Sequence, residues 1–177
     1  MTPHLSHLAP LNGNRALVKE IIIRKANIKD EIAIGEVLLD FYNMEDLKEA
    51  TNSFLKEINK EHKYILAIEN KKIIGLVTWI LHGLPKHGLF ELDRICILSG
   101  SRGKGIGNRL VEAMIDDADL YYKSLGEKIR KLYLLTHEEN KPAHKFYEKV
   151  GFKHETTLSD HYYKDVNERV YSIFFNV

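Results

Sequence analysis

The sequence predicts a single α/β domain in which helices flank a mixed sheet. Three observations carry this prediction. The chain has 177 residues, 44% of them hydrophobic, which suits one compact domain with one main core. Segments rich in β-branched residues alternate with segments whose apolar residues recur at helical spacing. In the second half the order is strand, helix, strand, helix, which implies a parallel strand pair joined by a crossover connection.

The first half of the chain predicts three strands and two helices. Residues 20–26 (EIIIRKA) predict a strand because β-branched side chains favour extended backbone. Helical spacing of apolar residues predicts one helix within residues 28–42 and a second that includes residues 47–58. Two strands follow at residues 64–69 and 73–81, and the polar residues between them suit a hairpin.

The second half predicts three strands and two helices in alternation. The helices are expected to start after the glycines near position 105 and at Lys141, because apolar residues then recur at intervals of three or four. The predicted strands are residues 89–98, 131–136 and 170–175. We therefore expect residues 20–177 to form the domain and residues 1–19, which lack an apolar run, to form an N-terminal extension.

Composition excludes several classes of protein. The net charge is +1, from 26 basic and 25 acidic residues, which argues against a nucleic-acid partner. No apolar run approaches the ~20 residues needed to span a bilayer, so no membrane partner is expected. Cys96 is the one cysteine, so no intramolecular disulfide is possible and a reducing compartment fits. With no signal peptide visible, the predicted location is the cytoplasm.

The turn after the strand at residues 89–98 is rich in glycine and positive charge. Glycines let the backbone approach a ligand closely, and the first amides of a helix have no partners inside the helix. Together with the helix dipole and with Arg102 and Lys104, these amides predict an anion site suited to a pyrophosphate. The alternative is a plain glycine turn that caps the helix.

Two common phosphate-binding motifs do not fit this turn. A P-loop needs Ser or Thr after Gly-Lys, but Gly105 follows Lys104. A dinucleotide fingerprint that starts at Gly103 needs glycine at position 108, which is Asn108. The spacing that fits is Arg-x-x-Gly-x-Gly, from Arg102 to Gly107.

A second motif, N-x-x-A-x-x-F-Y-x-x-x-G-F, begins at Asn140. Asn140 can cap a helix that has Pro142 in its first turn, and Gly151 can end that helix. In this order, the two motifs resemble those of the GNAT superfamily of acetyl-CoA-dependent N-acetyltransferases. The resemblance covers about residues 20–175 and is strongest over 92–152.

The resemblance implies a mostly antiparallel sheet with one splayed parallel strand pair, and acetyl-CoA as co-substrate. It implies no metal, and the one sequence that begins like a zinc motif, at His137, has Lys141 where the second histidine is needed. The main chain of residues near Ile97 would bind the pantetheine. The implied cofactor-binding residues are Ile95, Cys96, Ile97, Arg102, Gly103, Lys104, Gly105, Ile106, Gly107, Asn140 and Tyr147.

Two catalytic residues are implied by the same resemblance. Tyr147 matches the tyrosine that gives a proton to the departing thiolate, although it could instead be a core aromatic. Glu91 is in a place similar to that of a catalytic glutamate and is expected to share a strand face with Ile95 and Ile97. The alternatives for Glu91 are a structural carboxylate paired to Arg94 or a lysine, a base at Asp93, or a water chain.

The acceptor is the least defined part of the prediction. Residues 30–49 contain seven acids and one base, Lys48, which favours a small cationic amine or a protein or peptide amine; solvated helix faces are the alternative. The pair Tyr162-Tyr163 loosely resembles one in N-terminal acetyltransferases, which keeps peptide α-amines open. A homodimer also remains open. The alternative function is a non-catalytic CoA-binding sensor or assembly module with the same fold.

Overall fold

The computed structural model describes residues 20–175, which form one seven-stranded sheet with two helices on each face. The expected extension, residues 1–19, lies outside the described residues. Within residues 20–175, no helix is long and apolar enough to cross a membrane. The strands are β1 (Ile21–Lys25), β2 (Lys63–Glu69), β3 (Lys72–Leu81), β4 (Leu89–Ile97), β5 (Lys131–His137), β6 (Lys153–Leu158) and β7 (Glu168–Phe174), and the helices are α1 (Glu31–Phe41), α2 (Leu47–Asn59), α3 (Ile106–Ser124) and α4 (Lys141–Lys149).

The sheet order is β1-β2-β3-β4-β5-β7-β6, and every neighbouring pair is antiparallel except β4 and β5. This confirms the predicted mixed sheet with one parallel pair, and α3 is the crossover between its two strands. The sequence analysis missed β6. This strand (KHETTL) lies at the sheet edge and its first four residues are exposed, so it lacks the alternation that marks a half-buried strand.

The parallel pair is splayed. β4 and β5 pair only at Leu89–Lys131, Phe90–Leu132 and Glu91–Tyr133, although β4 continues to Ile97 and β5 to His137. The two strands therefore separate after Glu91, which leaves the edge of β4 that faces β5 without a strand partner from that point on.

Each face of the sheet has its own hydrophobic core. The larger core packs α3 and α4 against one face and contains Trp79, Phe90, Leu110 and Tyr171. The smaller core packs α1 and α2 against the other face and contains Cys96. Strand β4 contributes side chains to both cores.

A β-bulge in β4 changes which of its side chains lie on which face. The register passes from Arg94 opposite Thr78 directly to Leu92 opposite Trp79, so Asp93 is an extra residue in β4. Leu92 and Ile95 consequently both pack toward α3. The expectation that Glu91 shares a face with Ile95 and Ile97 is therefore wrong, because it assumed an unbroken period of two.

Candidate active site

A cleft of about 430 Å³ opens where β4 and β5 separate, on the α3/α4 side of the sheet. Most of the residues that the sequence analysis assigned to cofactor binding line it: Ile95, Ile97, Arg102, Gly103, Gly105, Ile106, Gly107, Asn140 and Tyr147. The sequence analysis missed other lining residues, which come from several elements: Phe41, Ser101, Asn108, Pro142, Ala143, Phe146 and Lys149. Cys96, Lys104 and Glu91 are not among the lining residues.

The glycine-rich turn presents a row of free backbone amides. The amides of residues 103–108 donate to no acceptor among the described residues, and the first backbone bond at the start of α3 runs from the Arg109 amide to the Gly105 carbonyl, 3.3 Å. Gly103 and Gly105 have φ of 76° and 75°, a conformation that side chains other than glycine rarely adopt. A Cβ at either position would meet no atom within 4 Å. The loop thus has the amides, dipole and open space of an anion site.

Gly107 is required for a different reason, which is helix packing. A Cβ built at Gly107 would lie 2.6 Å from Cε2 of Phe146 and 3.2 Å from Cδ1 of Ile97. The absence of a side chain here lets the first turn of α3 lie directly against α4. The last glycine of the motif therefore positions α3 against α4 beside the cleft.

Arg102 is partly committed within the protein. Its Nε donates to the carbonyl of Ile97, 3.0 Å, and its guanidinium carbon lies 5.7 Å from the centre of the Phe41 ring. These contacts hold a positive charge at the cleft while its other guanidinium N–H groups stay available to an anion. Lys104 lies on the other side of the loop, in a groove that also includes Glu36 and Asp40.

Tyr147 forms part of the cleft wall and is only 8% exposed. Its ring packs 5.4 Å from Phe146 and 6.1 Å from Tyr171, centre to centre. Burial, with a smaller contribution from the Cys96 thiol, raises the pKa of Tyr147 to about 12. Its hydroxyl makes no hydrogen bond to another described residue. At neutral pH it is therefore a protonated donor with no partner within residues 20–175.

The start of α4 is built as the sequence predicted. The Asn140 side chain accepts from the amide of Ala143, 3.3 Å, and Pro142 is in the first helical turn. The cap fixes the direction of α4 and so places Tyr147, two turns later, at the cleft.

Cys96 belongs to the α1/α2 core and is 1% exposed. Its sulfur lies 3.6 Å from the hydroxyl of Tyr42. Burial raises the pKa of the Cys96 thiol. Only the main chain of this residue remains for contact with a ligand in the cleft.

Glu91 lies at the vertex of the splay, on the face opposite the cleft. It is in the last pair between β4 and β5, and its Oε2 accepts from the hydroxyl of Tyr133, 3.0 Å. The same oxygen is 2.6 Å from Nε2 of His82. The structure therefore does not bring Glu91 together with Tyr147 in one cavity; each approaches the opening between the strands from its own side.

The alternative that Glu91 pairs with Arg94 is wrong, because Arg94 forms ion pairs with other carboxylates. It contacts Glu57 at 3.0 Å and Asp93 at 3.2 Å, and its guanidinium lies 5.2 Å from the ring centre of Tyr42. Burial lowers the pKa of Arg94, but the carboxylates more than offset it, so the net shift is upward. Arg94 thus ties α2, the bulge and the α1–α2 connection together.

Among the described residues, one group has the spacing of a metal site: Glu57, His62 and Asp93. Both carboxylates already face the guanidinium of Arg94, which supplies the positive charge. Asp93 also accepts from Thr78, 3.0 Å. These contacts argue against the alternative that Asp93 is the base, because its carboxylate is already engaged by Thr78 and Arg94 at the bulge.

The comparisons with known proteins agree with this geometry. A sequence model of the Acetyltransferase (GNAT) family matches residues 32–152. A GNAT-family protein from Desulfovibrio desulfuricans has the same fold, with a TM-score of 0.72 and 18% identity over 88% of this chain and 99% of that one. So does yncA from Salmonella typhimurium, whose structure was solved with its cofactor acetyl-CoA, with a TM-score of 0.66 and 14% identity over 88% of this chain and 94% of that one.

One curated relative is similar in sequence. The N-acetylaspartate synthetase of Xenopus tropicalis is 31% identical over 96 residues, which are 54% of this chain and 32% of that protein. The chain thus spans about a third of the length of that relative. With the family model covering more than half of the chain, the chain belongs to the Acetyltransferase (GNAT) family.

Proposed function

We propose that the protein is an N-acetyltransferase that moves the acetyl group of acetyl-CoA to a primary amine by direct attack. The observation that carries the proposal is one cleft that combines free amides at residues 103–108 with the unpartnered hydroxyl of Tyr147. The amides and the glycines with positive φ fit a pyrophosphate, because each amide needs an acceptor and no Cβ fills the space.

Different residues of the cleft would bind different parts of acetyl-CoA. The amides of residues 103–108 and the guanidinium of Arg102 would hold the pyrophosphate, and the unpaired edge of β4 at Ile95 and Ile97 would hold the extended pantetheine by main-chain contacts. When bound, acetyl-CoA supplies a thioester as the activated acetyl group. Tyr147 holds a proton at its hydroxyl, which the departing sulfur can take.

The amine approaches from the other face, where Glu91 lies. An amine with pKa near 10.4 is neutral at pH 7 at a cost of about 4.6 kcal/mol, whereas one with pKa near 8 costs about 1.4 kcal/mol. A lysine-like acceptor therefore needs a group that takes its proton. Glu91, at the vertex of the splay, is the carboxylate placed for that part of the site.

Charges on the acceptor face favour a cationic amine. Burial raises the pKa of Tyr162, in the β6–β7 connection, and the negative charges of Glu91, Glu168 and Asp93 raise it further. Among the described residues, the carboxylate of Glu91 has a histidine and a tyrosine as its neighbours and no arginine or lysine, so it supports a cationic acceptor better than the acidic segment at residues 30–49 does. In that segment Asp30 pairs with Arg24. The carboxylates of Asp46 and Glu49 accept hydrogen bonds from the amides of Glu49 and Glu45, respectively, near the start of α2.

Aspartate is the second candidate acceptor, on the strength of the curated relative's name. An acidic acceptor would need a cation that is free to bind its carboxylates. Arg94 is the guanidinium nearest to the bulge, and Glu57 and Asp93 already neutralise it. The two candidates therefore predict opposite orders of reactivity for cationic and acidic amines.

The test is thiol release from acetyl-CoA with a panel of amines that includes a polyamine, lysine, a peptide α-amine and aspartate. We expect release with the cationic amines, and a loss of about 10²–10⁴ in kcat for Tyr147→Phe, with CoA affinity kept. Gly105→Val should weaken CoA binding in calorimetry, because its side chain would enter the space beside the amides. Tight CoA binding without release for any amine would instead support the non-catalytic sensor or assembly module.

A further inference from the structure

His82 faces the carboxylate of Glu91 from the β3–β4 connection. Its Nε2 is 2.6 Å from Oε2 of Glu91, and its ring centre is 5.5 Å from that of Tyr133. The backbone is held in place, since the amide of His82 donates to the carbonyl of Leu89, 3.0 Å. The imidazole is therefore a fixed neighbour of Glu91 at the vertex of the splay.

The two nitrogens of this ring are in different surroundings. Nε2 is buried and lies 2.6 Å from Oε2 of Glu91, but the direction of its N–H does not meet the geometry of a hydrogen bond. A small rotation of the ring aligns the two, and such terminal torsions are soft. The His82 side chain is 37% exposed while that of Glu91 is 13% exposed, and Nδ1 is not among the sealed atoms.

The other groups around Glu91 do not provide a base. The Tyr133 hydroxyl donates to Oε2, and burial, reinforced by the Glu91 carboxylate, raises the pKa of Tyr133, so it stays protonated. The pKa of Tyr162, on the β6–β7 connection, is raised as well. Across β3 the partner of Glu91 is Ile80, which is apolar. Among the described neighbours of Glu91, His82 is the one whose side chain is of a type that commonly acts as a general base.

We propose that His82 and Glu91 act together as the base for the acceptor amine, with Nδ1 of His82 taking the proton and Glu91 holding the ring. This rests on the proposed function. The N–H bond of the attacking ammonium breaks, its electron pair stays on nitrogen, and the proton passes through a water to Nδ1. The ring becomes an imidazolium whose Nε2–H faces the Glu91 carboxylate, and it later returns the proton to solvent. In this scheme Glu91 is not itself the base; it is the group that orients and stabilises the base.

The pair and a lone Glu91 base predict different pH profiles. If the pair is the base, His82→Phe, which keeps the aromatic contact with Tyr133, abolishes the acid limb of kcat near neutral pH and lowers kcat at pH 8 by roughly 10²-fold. Glu91→Gln then keeps an acid limb but moves it about one pH unit lower, because the imidazolium loses its opposite charge. If Glu91 alone is the base, Glu91→Gln removes the limb and His82→Phe leaves it in place, which would overturn the inference.

Two further measurements make the test specific. The double variant His82→Phe/Glu91→Gln should be no slower than His82→Phe within about twofold, since Glu91 acts through His82; additive losses would contradict this. Proton NMR of the His82 ring, which needs no turnover, should show a titration midpoint at lower pH in Glu91→Gln. His62→Phe is the matched control: its ring lies 3.9 Å from Asp93, and a shift of the acid limb in this variant alone would assign the base to that pair and overturn the inference.

Failure of this inference is distinct from failure of the proposed function. A parent protein that releases no thiol with any amine overturns the proposed function and the inference that rests on it. A parent that turns over, but whose acid limb and NMR midpoint are indifferent to both substitutions, overturns the inference alone.

Discussion

Replacing Gly107 by alanine tests how tightly α3 packs on α4 beneath the cleft. The new Cβ would lie 2.6 Å from Cε2 and 2.9 Å from Cζ of Phe146, at least 0.6 Å closer than ordinary carbon contacts of ~3.5 Å. The ring cannot retreat freely, because Tyr147 packs against it at 5.4 Å. Overpacking of this kind costs about 1–3 kcal/mol in the free energy of unfolding. Urea denaturation followed by circular dichroism measures it.

A double-mutant cycle with Phe146→Leu identifies the cause. Leucine lacks the Cε2 and Cζ atoms, so in that background Gly107→Ala should cost less than about 0.5 kcal/mol, which corresponds to a coupling of at least about 0.5 kcal/mol. Gly105→Ala is the matched control: it meets no atom within 4 Å, and its cost of ~1–2 kcal/mol comes from the backbone conformation and should not change with Phe146. If Gly107→Ala costs the same in both backgrounds, the packing explanation is refuted.

Three further predictions concern stability and are checked by urea unfolding. The pKa of Tyr147 is raised in the folded state, so the stability that its protonated hydroxyl contributes is complete below pH 10 and is lost as the pH rises to about 12. Tyr147→Phe should therefore flatten the decline of the unfolding free energy between these pH values by up to about 1.4 kcal/mol per pH unit. An unchanged slope would contradict the burial argument. Asn140→Ala should cost about 1 kcal/mol and Asn140→Asp less than half of that, since aspartate also caps; equal costs would show that the cap is not the cause. Arg94→Met should cost about 3–5 kcal/mol, because it leaves Glu57 and Asp93 half-buried without their cation, and a loss under 1 kcal/mol would show that solvent screens this network.

The fold was predictable because its signals are local. A run of β-branched residues predicts strand β1, and apolar residues at helical spacing predict helix α3. The glycine loop and the cap at Asn140 are short motifs with a physical cause. The cleft residues of those motifs were found for the same reason. Strand β6 was not predicted, because an exposed edge strand has no buried face and so its sequence need not alternate between apolar and polar residues.

The acceptor side was less predictable because it depends on contacts between distant segments. Phe41 reaches the cleft from the end of α1, and His82 reaches Glu91 from a hairpin, and neither contact leaves a spacing pattern in the sequence. The pairing of Arg94 with Glu57 could not be predicted for a related reason: Glu57 is 37 residues away in the chain, on α2. Only the folded sheet brings these groups within reach of one another.

The bulge at Asp93 explains why the two halves of the site lie on opposite faces. Without the extra residue, period-two alternation would put Glu91 on the face of Ile95 and Ile97, which is the face that carries the cleft. With it, the carboxylate is moved to the face of Arg94, while the main chain of β4 still borders the splay. In the proposed reaction, this placement keeps a negative charge away from the amides of residues 103–108 and puts it on the face from which the amine is proposed to approach. The bulge and the splay would then together determine the direction from which each substrate enters.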